Sequence, residues 1–156
     1  LITKSYVCPD SRIEIITGSE KVMILDIHDP MMVGSVGYDL KIMQDLERFG
    51  VSYIFKTTSA NSISMVIWEK DFKDELLDIL KSKYETVTSR KVAIICLIGT
   101  NINQPGMLAR TAQTLADNKI NILSIGCAMR QVNIQLVIEK EYFKSAIQAL
   151  NKEFVK

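Results

Sequence analysis

The sequence predicts an α+β fold made of two βαββαβ units, with the first unit inserted within the second. Three observations lead to this prediction. Strand-like and helix-like patterns alternate along the chain, the order β-α-β-β-α occurs twice, and one strand-like run is left in front of both copies. With 47% apolar residues among 156, the chain can bury a core for one or two domains.

The first copy begins with a short aliphatic run that is typical of a buried strand. A stretch with apolar residues at a spacing of three then predicts a helix, and two strands joined by a tight connection follow it. A second amphipathic helix completes the copy. In chain order these segments are VMILDI (22–27), GYDLKIMQDLERFG (37–50), VSYIFKTT (51–58), SISMVIWE (62–69) and DFKDELLDILKSKY (71–84).

The second copy repeats this order at a nearly constant distance along the chain. Gly37 and Gly106 are 69 residues apart, whereas Phe72 and Phe143, which follow the expected β-hairpins, are 71 apart. A hairpin loop absorbs such a two-residue change, so the offsets indicate an internal repeat. The segments are KVAIICLIG (91–99), PGMLARTAQTLADNK (105–119), INILSIG (120–126), VNIQLVIE (132–139) and EYFKSAIQALNKEF (141–154).

Each copy needs one more strand to become a ferredoxin-like βαββαβ unit. The run ETVTSRK (85–91) can supply this strand for the first copy, but the sequence stops directly after the last helix of the second copy. The unassigned run SRIEIITG (11–18) alternates apolar and charged residues, so we expect it to cross over and close the second unit. This arrangement predicts a first domain at 20–89 and a second domain at 11–19 plus 90–156.

The charge and the hydrophobic pattern disfavour two classes of partner. Nineteen basic and eighteen acidic residues give a net charge of +1, whereas nucleic-acid binding needs a concentrated basic face. No apolar run approaches the roughly 20 residues that span a bilayer, and the first ten residues lack the pattern of a secretory signal. We therefore expect no nucleic acid and no membrane among the partners, and a cytoplasmic location with reduced cysteines.

Few side chains are arranged for catalysis or for metal binding. The single histidine, His28, and three scattered cysteines complete neither a metal-ligand set nor a nucleophile with its base. Asp26, Asp29 and Asp39 lie near the first turn, where solvated loop charges or helix-start residues explain them. We expect no catalytic residue and no metal site.

Two glycine-containing turns, GSVGYD (34–39) and QPGMLAR (104–110), lie between a strand and a helix, where a phosphate loop would be. Neither contains GxxxxGK[ST] or GxGxxG, so neither is a nucleotide-binding loop of those types. Two interpretations remain open. The free N–H groups of the helix start can hold an anion such as a carboxylate, or Gly37 and Gly106 serve only the turn and the packing of the helix.

Taken together, these segments resemble the regulatory region of aspartokinase, which is built from two ACT domains. The matching text is PMMVGSVGYDLKIMQDLERFGVSYIFKTTSANSIS (30–64) in the first unit and GTNINQPGMLARTAQTLADNKINILSIGCAMRQVNIQLVIEKEYFKSAIQALNKEF (99–154) in the second. The resemblance covers essentially the whole chain. The opening LIT is similar to the segment that follows the family's catalytic domain, which assigns residues 1–10 to a junction with an N-terminal kinase domain that is missing here.

The resemblance implies a function. Aspartokinase transfers the γ-phosphoryl group of ATP to the β-carboxylate of aspartate, the first step towards lysine, threonine and methionine. Its catalytic machinery, with ATP and magnesium, belongs to the missing domain, so this chain would have no catalytic activity and no cofactor of its own. It would bind an end-product amino acid of the lysine or threonine class, act on the kinase domain in cis, and form a homodimer through its ACT sheets. A purely structural dimerisation module and a stand-alone enzyme of ferredoxin-like fold are the alternatives.

The resemblance also places the effector site, with the first unit preferred. Relatives that sense lysine carry an acidic residue where this chain has Ile54, which disfavours lysine because a buried ammonium needs a partner. The second unit departs from its relatives at Arg130 and Gln131, where they often carry Ser-Glu. The first-unit residues are Met32, Ser35, Gly37, Tyr38, Asp39, Ser52, Tyr53, Ile54, Thr57 and Thr58, and the second-unit candidates are Asn101, Gln104, Gly106, Met107, Asn121, Ile122 and Asn133.

Overall fold

The computed structural model of the chain describes residues 10–102, 104–127 and 132–155. Strands and helices alternate in the predicted order, and each hairpin is followed by a single turn of 3-10 helix, at Glu69–Asp71 and Lys140–Tyr142. The elements are β1 (Arg12–His28), α1 (Tyr38–Arg48), β2 (Tyr53–Thr58), β3 (Ser62–Trp68), α2 (Asp74–Lys83), β4 (Thr86–Thr100), α3 (Met107–Asp117), β5 (Ile122–Cys127), β6 (Asn133–Glu139) and α4 (Phe143–Phe154).

Two strands are longer than the sequence predicted. The runs at 11–18 and 22–27 form the single strand β1, and the runs at 85–91 and 91–99 form the single strand β4. Nothing in the intervening residues forces a turn, because Gly18 has no positive φ and no proline lies between the paired runs. The prediction of separate short strands was therefore wrong in its boundaries.

The chain divides into two units. We call Glu20–Val92 the inserted unit, and Leu1–Ser19 together with Ala93–Lys156 the enclosing unit. The strand order is β2-β3-β1-β4 in the inserted unit and β1-β4-β6-β5 in the enclosing unit, so each has the order of a ferredoxin-like sheet.

The N-terminal half of β1 completes the enclosing unit. Ile13 is 5% exposed and lies in one core with residues of β4, β6 and both helices of that unit. Val87, in the first part of β4, lies instead in the core of the inserted unit. The two strands that close the units therefore come from the predicted segments, 85–91 for the first unit and 11–18 for the second. The insertion of the first unit within the second is confirmed.

Two glycines allow β1 and β4 to approach closely in the enclosing unit. A Cβ atom on Gly99 would lie 2.1 Å from the carbonyl oxygen of Arg12, and one on Gly18 would lie 2.3 Å from that of Ile94. Because real Cβ atoms do not come so near to backbone oxygen, any other residue would push the strands apart.

The repeat extends to an irregularity of the hairpins. The register of β2 against β3 shifts between Tyr53 and Phe55, and that of β5 against β6 shifts between Ile122 and Ser124. These positions are 69 residues apart, which is the offset found in the sequence. A bulge changes the face to which the following side chains point, and this change occurs at the equivalent position of both units.

Within the described ranges, no helix is long and apolar enough to cross a membrane, and no group of three or more His, Cys, Asp or Glu side chains is placed to hold a metal ion. Cys96 and Cys127 are free thiols, and Cys8 lies outside the described residues.

Candidate functional site

The helix mouth of the inserted unit, residues 29–39, connects the end of β1 with the start of α1. Asp29 caps the 3-10 turn Pro30–Met32, and its Oδ1 accepts a hydrogen bond from the Met31 N–H at 2.9 Å. A proline suits the first position of such a turn because it has no N–H to satisfy. Gly37, directly before α1, has a φ of 80°, a left-handed conformation that glycine adopts without strain.

No side chain caps the first turn of α1. The residue in the capping position is Gly37, which has no side chain to offer, and the first N–H groups of a helix have no acceptor inside it. Ser35 does not supply the cap, because its Oγ donates to the Met31 carbonyl at 2.6 Å. The mouth therefore presents unused backbone donors at the positive end of a helix, which is an arrangement that binds carboxylates.

A partly buried hydrogen bond fixes the shape of the mouth. Asp29 is 6% exposed, and its Oδ2 accepts a hydrogen bond from the Tyr38 hydroxyl at 2.6 Å. The Tyr38 hydroxyl and the Met31 N–H stabilise the carboxylate and lower the pKa of Asp29. The same bond, with burial, raises the pKa of Tyr38 to about 12. Asp29 is thus neither solvated nor free for a ligand, and it holds the first residue of α1 in place.

Strand β2 reaches the mouth through one lysine. The Lys56 ammonium lies 2.5 Å from the Asp39 carboxylate, and it also lies 6.0 Å from the centre of the Tyr53 ring. The Lys56 side chain is only 17% exposed, so this ion pair is partly shielded from solvent. The first turn of α1 and the middle of β2 therefore form one polar surface.

The structure brings some of the predicted first-unit residues together and separates others. Because of the bulge, Tyr53 pairs with Ile67 and Thr58 with Ile63, two residues of the helix-covered core, whereas Thr57 pairs with Ser64 on the other face. Tyr53 and Thr58 stand at opposite ends of β2, about 16 Å apart by the rise of a strand, which is too far for one amino acid to touch both.

The remaining first-unit residues fall into two groups. Ser35, Gly37, Tyr38 and Asp39 all lie in the mouth, and Met32 lies beneath them at 7% exposure as part of the core. Ser52 is exposed just before β2, and Ile54 is half-buried at the bulge.

The corresponding mouth of the enclosing unit is built differently. Gly106 again has a positive φ, of 92°, before the first residue of α3. The positions equivalent to Asp29 and Tyr38, at the offset of 69, are Ile98 and Met107, so the carboxylate–hydroxyl bond has no counterpart. Instead the Gln104 amide donates to Asn101 Oδ1 at 3.0 Å, and Met107 is buried at 8% exposure.

The other second-unit candidates do not converge. Asn121 and Ile122 stand where β5 begins, beside the end of β6, because Ile122 pairs with Ile138. Asn133 stands at the opposite end of the same hairpin, next to the pair formed by Ile134 and Cys127. Arg130 and Gln131 lie outside the described residues.

Comparison with known proteins identifies the repeated unit. The family model of the ACT domain matches residues 95–154, which is most of the second copy. Residues 95–154 are therefore similar to an ACT domain. The aspartate kinase Ask_Ect of Stutzerimonas stutzeri (strain A1501) is 30% identical over 158 residues, covering 99% of this chain and 33% of the relative. The chain thus spans about a third of the length of this curated relative.

Solved structures share the fold of both units. Clostridium acetobutylicum aspartate kinase, described as an allosteric enzyme, superimposes with a TM-score of 0.85 at 21% identity, covering 91% of this chain and 34% of that one. The regulatory subunit of aspartate kinase from Thermus flavus gives a TM-score of 0.80 at 18% identity, covering 91% of this chain and 98% of that one. The resemblance to the regulatory region of aspartokinase is confirmed.

Sequence reasoning missed two residues that shape the helix mouth of the inserted unit. Asp29 was interpreted as a loop charge or a helix-start residue, but its link to a tyrosine nine positions away depends on how the chain folds back. Lys56 was not among the predicted site residues. The available signal was a lysine in an otherwise β-branched and aromatic strand, which faces a helix that begins with Tyr-Asp.

Proposed function

We propose that this chain is the allosteric regulatory region of an aspartokinase and that its inserted unit binds an end-product amino acid at the helix mouth. The observation that carries the proposal is the uncapped first turn of α1, held by the Asp29–Tyr38 bond and flanked by the Asp39–Lys56 pair. The effector's α-carboxylate would take the N–H groups of this turn. An allosteric role of the ACT units is supported by the match to aspartokinase relatives and regulatory subunits.

The groups at the mouth favour an effector of the threonine class over lysine. The two described carboxylates of this mouth are engaged, Asp29 by a hydroxyl and a backbone N–H, and Asp39 by Lys56. Ile54, at the bulge, adds no charge. A long side chain that ends in an ammonium would therefore find no unpaired carboxylate in this mouth, and desolvating its charge would oppose binding. A short hydroxyl side chain carries no such cost.

Dimer formation is a second part of the proposal. Several apolar side chains of the mouth are exposed, up to 99% for Val36 and 71% for Met31, with Val33 and Leu40 at 62% and 61%. Such a patch favours a covering partner, and a second copy would place two mouths at one seam. The kinase domain acting in cis, with its ATP, magnesium and aspartate, also belongs to the proposal, because the chain matches only a third of its relative.

Calorimetric titration of the chain with threonine, lysine and methionine tests the effector proposal. We expect saturable heat with threonine and at least about tenfold weaker binding of lysine. The variant Ile54→Glu supplies the missing carboxylate and should shift this preference towards lysine. No heat with any of the three amino acids would overturn the effector site and leave a dimerisation module, whose self-association would be measured by sedimentation without ligand.

A further inference from the structure

The inserted unit also contains a concave surface that shares Tyr38 with the helix mouth. It lies where the outer side of α1 meets the end of α2, and it encloses about 370 Å³. That volume is at the lower end of the range for small-molecule sites. Its lining consists of Tyr38, Lys41, Gln44, Asp45, Lys83 and Tyr84.

The enclosing unit shows how the repeat fills the same position. There Arg110 pairs with the Glu153 carboxylate at 2.6 Å and lies 5.0 Å from the centre of the Phe154 ring. One turn further along α3, the Gln113 amide donates to Asp117 at 2.7 Å. Arg110 and Gln113 are thus each paired with a carboxylate of their own unit.

In the inserted unit the same cation and amide are kept, but both carboxylates are lost. At the offset of 69, Lys41 is equivalent to Arg110, Gln44 to Gln113, and Arg48 to Asp117. At the offset of 71, Ser82 is equivalent to Glu153. The offset of 71 holds in three dimensions, because Tyr84 and Val155 end their helices with the same backbone hydrogen bond. Among the described residues, neither Lys41 nor Gln44 contacts a carboxylate, and the Lys41 ammonium lies 5.9 Å from the centre of the Tyr38 ring.

The rest of the lining fits a ligand with one negative charge and a flat apolar part. Lys83 is already neutralised, because it donates to both oxygens of the buried Asp45 at 2.6 and 2.8 Å. Of the two lysines in the lining, Lys41 is therefore the one that can pair with a charged ligand. The rings of Tyr38 and Tyr84 stand side by side, with centroids 5.6 Å apart and a tilt of 48°, and offer an aromatic wall.

We propose that this cavity binds a small organic carboxylate. The ligand's carboxylate takes the place that Glu153 occupies in the repeat and contacts Lys41 and Gln44, while its apolar part packs against the two tyrosine rings. The cavity and the effector site share Tyr38 but use different groups of it, since the cavity takes its ring and the mouth its backbone N–H, and the ligand's carboxylate is held here by Lys41 and Gln44. A carboxylate is favoured over phosphate because the repeat places a carboxylate there and because a single unpaired cation matches a single charge.

NMR titration of the whole chain with benzoate, benzamide and inorganic phosphate tests the proposal. Benzamide has the shape of benzoate without its charge. We expect benzoate to shift the amide resonances of Lys41, Gln44 and Tyr84 saturably, and benzamide and phosphate to bind at least about tenfold more weakly. Equal binding of benzamide, equal binding of phosphate at these residues, or no saturable shift would overturn the proposal.

Two variants and a matched control locate the site. Ser82→Glu restores the carboxylate of the repeat and should weaken benzoate binding at least about tenfold by occupying the site from within. Lys41→Gln should weaken it to a similar extent by removing the cation, whereas Arg110→Gln, the equivalent change in the enclosing unit, should leave it unchanged. Unchanged affinity in folded Ser82→Glu and Lys41→Gln proteins would contradict the proposal.

Discussion

The Tyr38 hydroxyl donates a hydrogen bond to Asp29 Oδ2 over 2.6 Å, and this bond joins the end of β1 to the first residue of α1. The eight residues between the two partners include both left-handed glycines of the mouth, Gly34 and Gly37. A flexible segment is thereby held at both ends. The backbone donors of α1 are consequently presented in one arrangement before any ligand arrives, which reduces the entropy lost on binding.

Replacing Tyr38 by phenylalanine should change the pH dependence of stability in two windows. The pKa of Asp29 is lowered from 3.8 in the folded state, so its contribution is present above pH 3.8 and is lost as pH falls further. The pKa of Tyr38 is raised from 10.0 to about 12, so its contribution is present below pH 10 and is lost as pH rises towards 12. Tyr38→Phe should therefore be less stable than the original chain between these limits and approach it beyond them.

Urea unfolding at a series of pH values measures this difference, and the difference in tyrosinate absorbance between the two proteins reports the titration of Tyr38 directly. A stability difference that stays constant from pH 3 to pH 12 would contradict the hydrogen bond as the cause.

Alanine at Gly37 should strain the backbone without causing a clash. No atom lies within 4 Å of the position that a Cβ would take, whereas the φ of 80° is unfavourable for any residue with a side chain. We expect Gly37→Ala to lower the free energy of unfolding by about 1–2 kcal/mol, and Gly37→Asn to cost less because asparagine tolerates this conformation. Thermal and urea unfolding check both values, and an asparagine variant less stable than the alanine variant would be inconsistent with backbone strain.

Alanine at Gly99 should be more costly, and for a different reason. Its φ is not positive, but its Cβ would lie 2.1 Å from the Arg12 carbonyl oxygen and 2.7 Å from Cγ2 of Ile102. Strands β1 and β4 would have to separate, and we expect a loss of about 3 kcal/mol or more. Hydrogen exchange should show the loosened amides at the N-terminal half of β1. Native-like protection there in the variant would rule out this close approach.

The crossing of β1 into the enclosing unit makes a prediction for two isoleucines that are two positions apart. Ile13 is 5% exposed in the core of that unit, whereas Ile15 is 54% exposed. Ile13→Ala should lower the free energy of unfolding by about 2–4 kcal/mol, and Ile15→Ala, the matched control, by less than about 0.5 kcal/mol. Equal effects of the two changes would show that this strand does not close the core.

The elements, the repeat and the insertion could be predicted from the sequence because they follow from periodicity and spacing alone. Apolar residues at the spacing of a helix or a strand identify each element, and the offset of 69 aligns Gly37 with Gly106 before any contact is known. The run at 11–18 could be assigned because a βαββαβ unit without its last strand leaves a place for it.

The details of the site depend on tertiary structure and could not be predicted in the same way. The bulge after Tyr53 places Lys56, and not the predicted Thr57, on the face of β2 that meets α1. A shift of one residue in a strand reverses every side chain beyond it, and single-sequence patterns do not resolve such a shift. The pairing of Asp29 with Tyr38 likewise depends on the path of the intervening turn.

The central proposal is that an amino acid binds at the helix mouth of the inserted unit and not at that of the enclosing unit, and NMR titration with threonine tests it most directly. We predict saturable shifts of the amide protons of Tyr38, Asp39 and Leu40, at the first turn of α1, and unchanged resonances for Met107 at the first turn of α3. Shifts at Met107 alone, or none at either helix under saturating threonine, would contradict the assignment of the effector site.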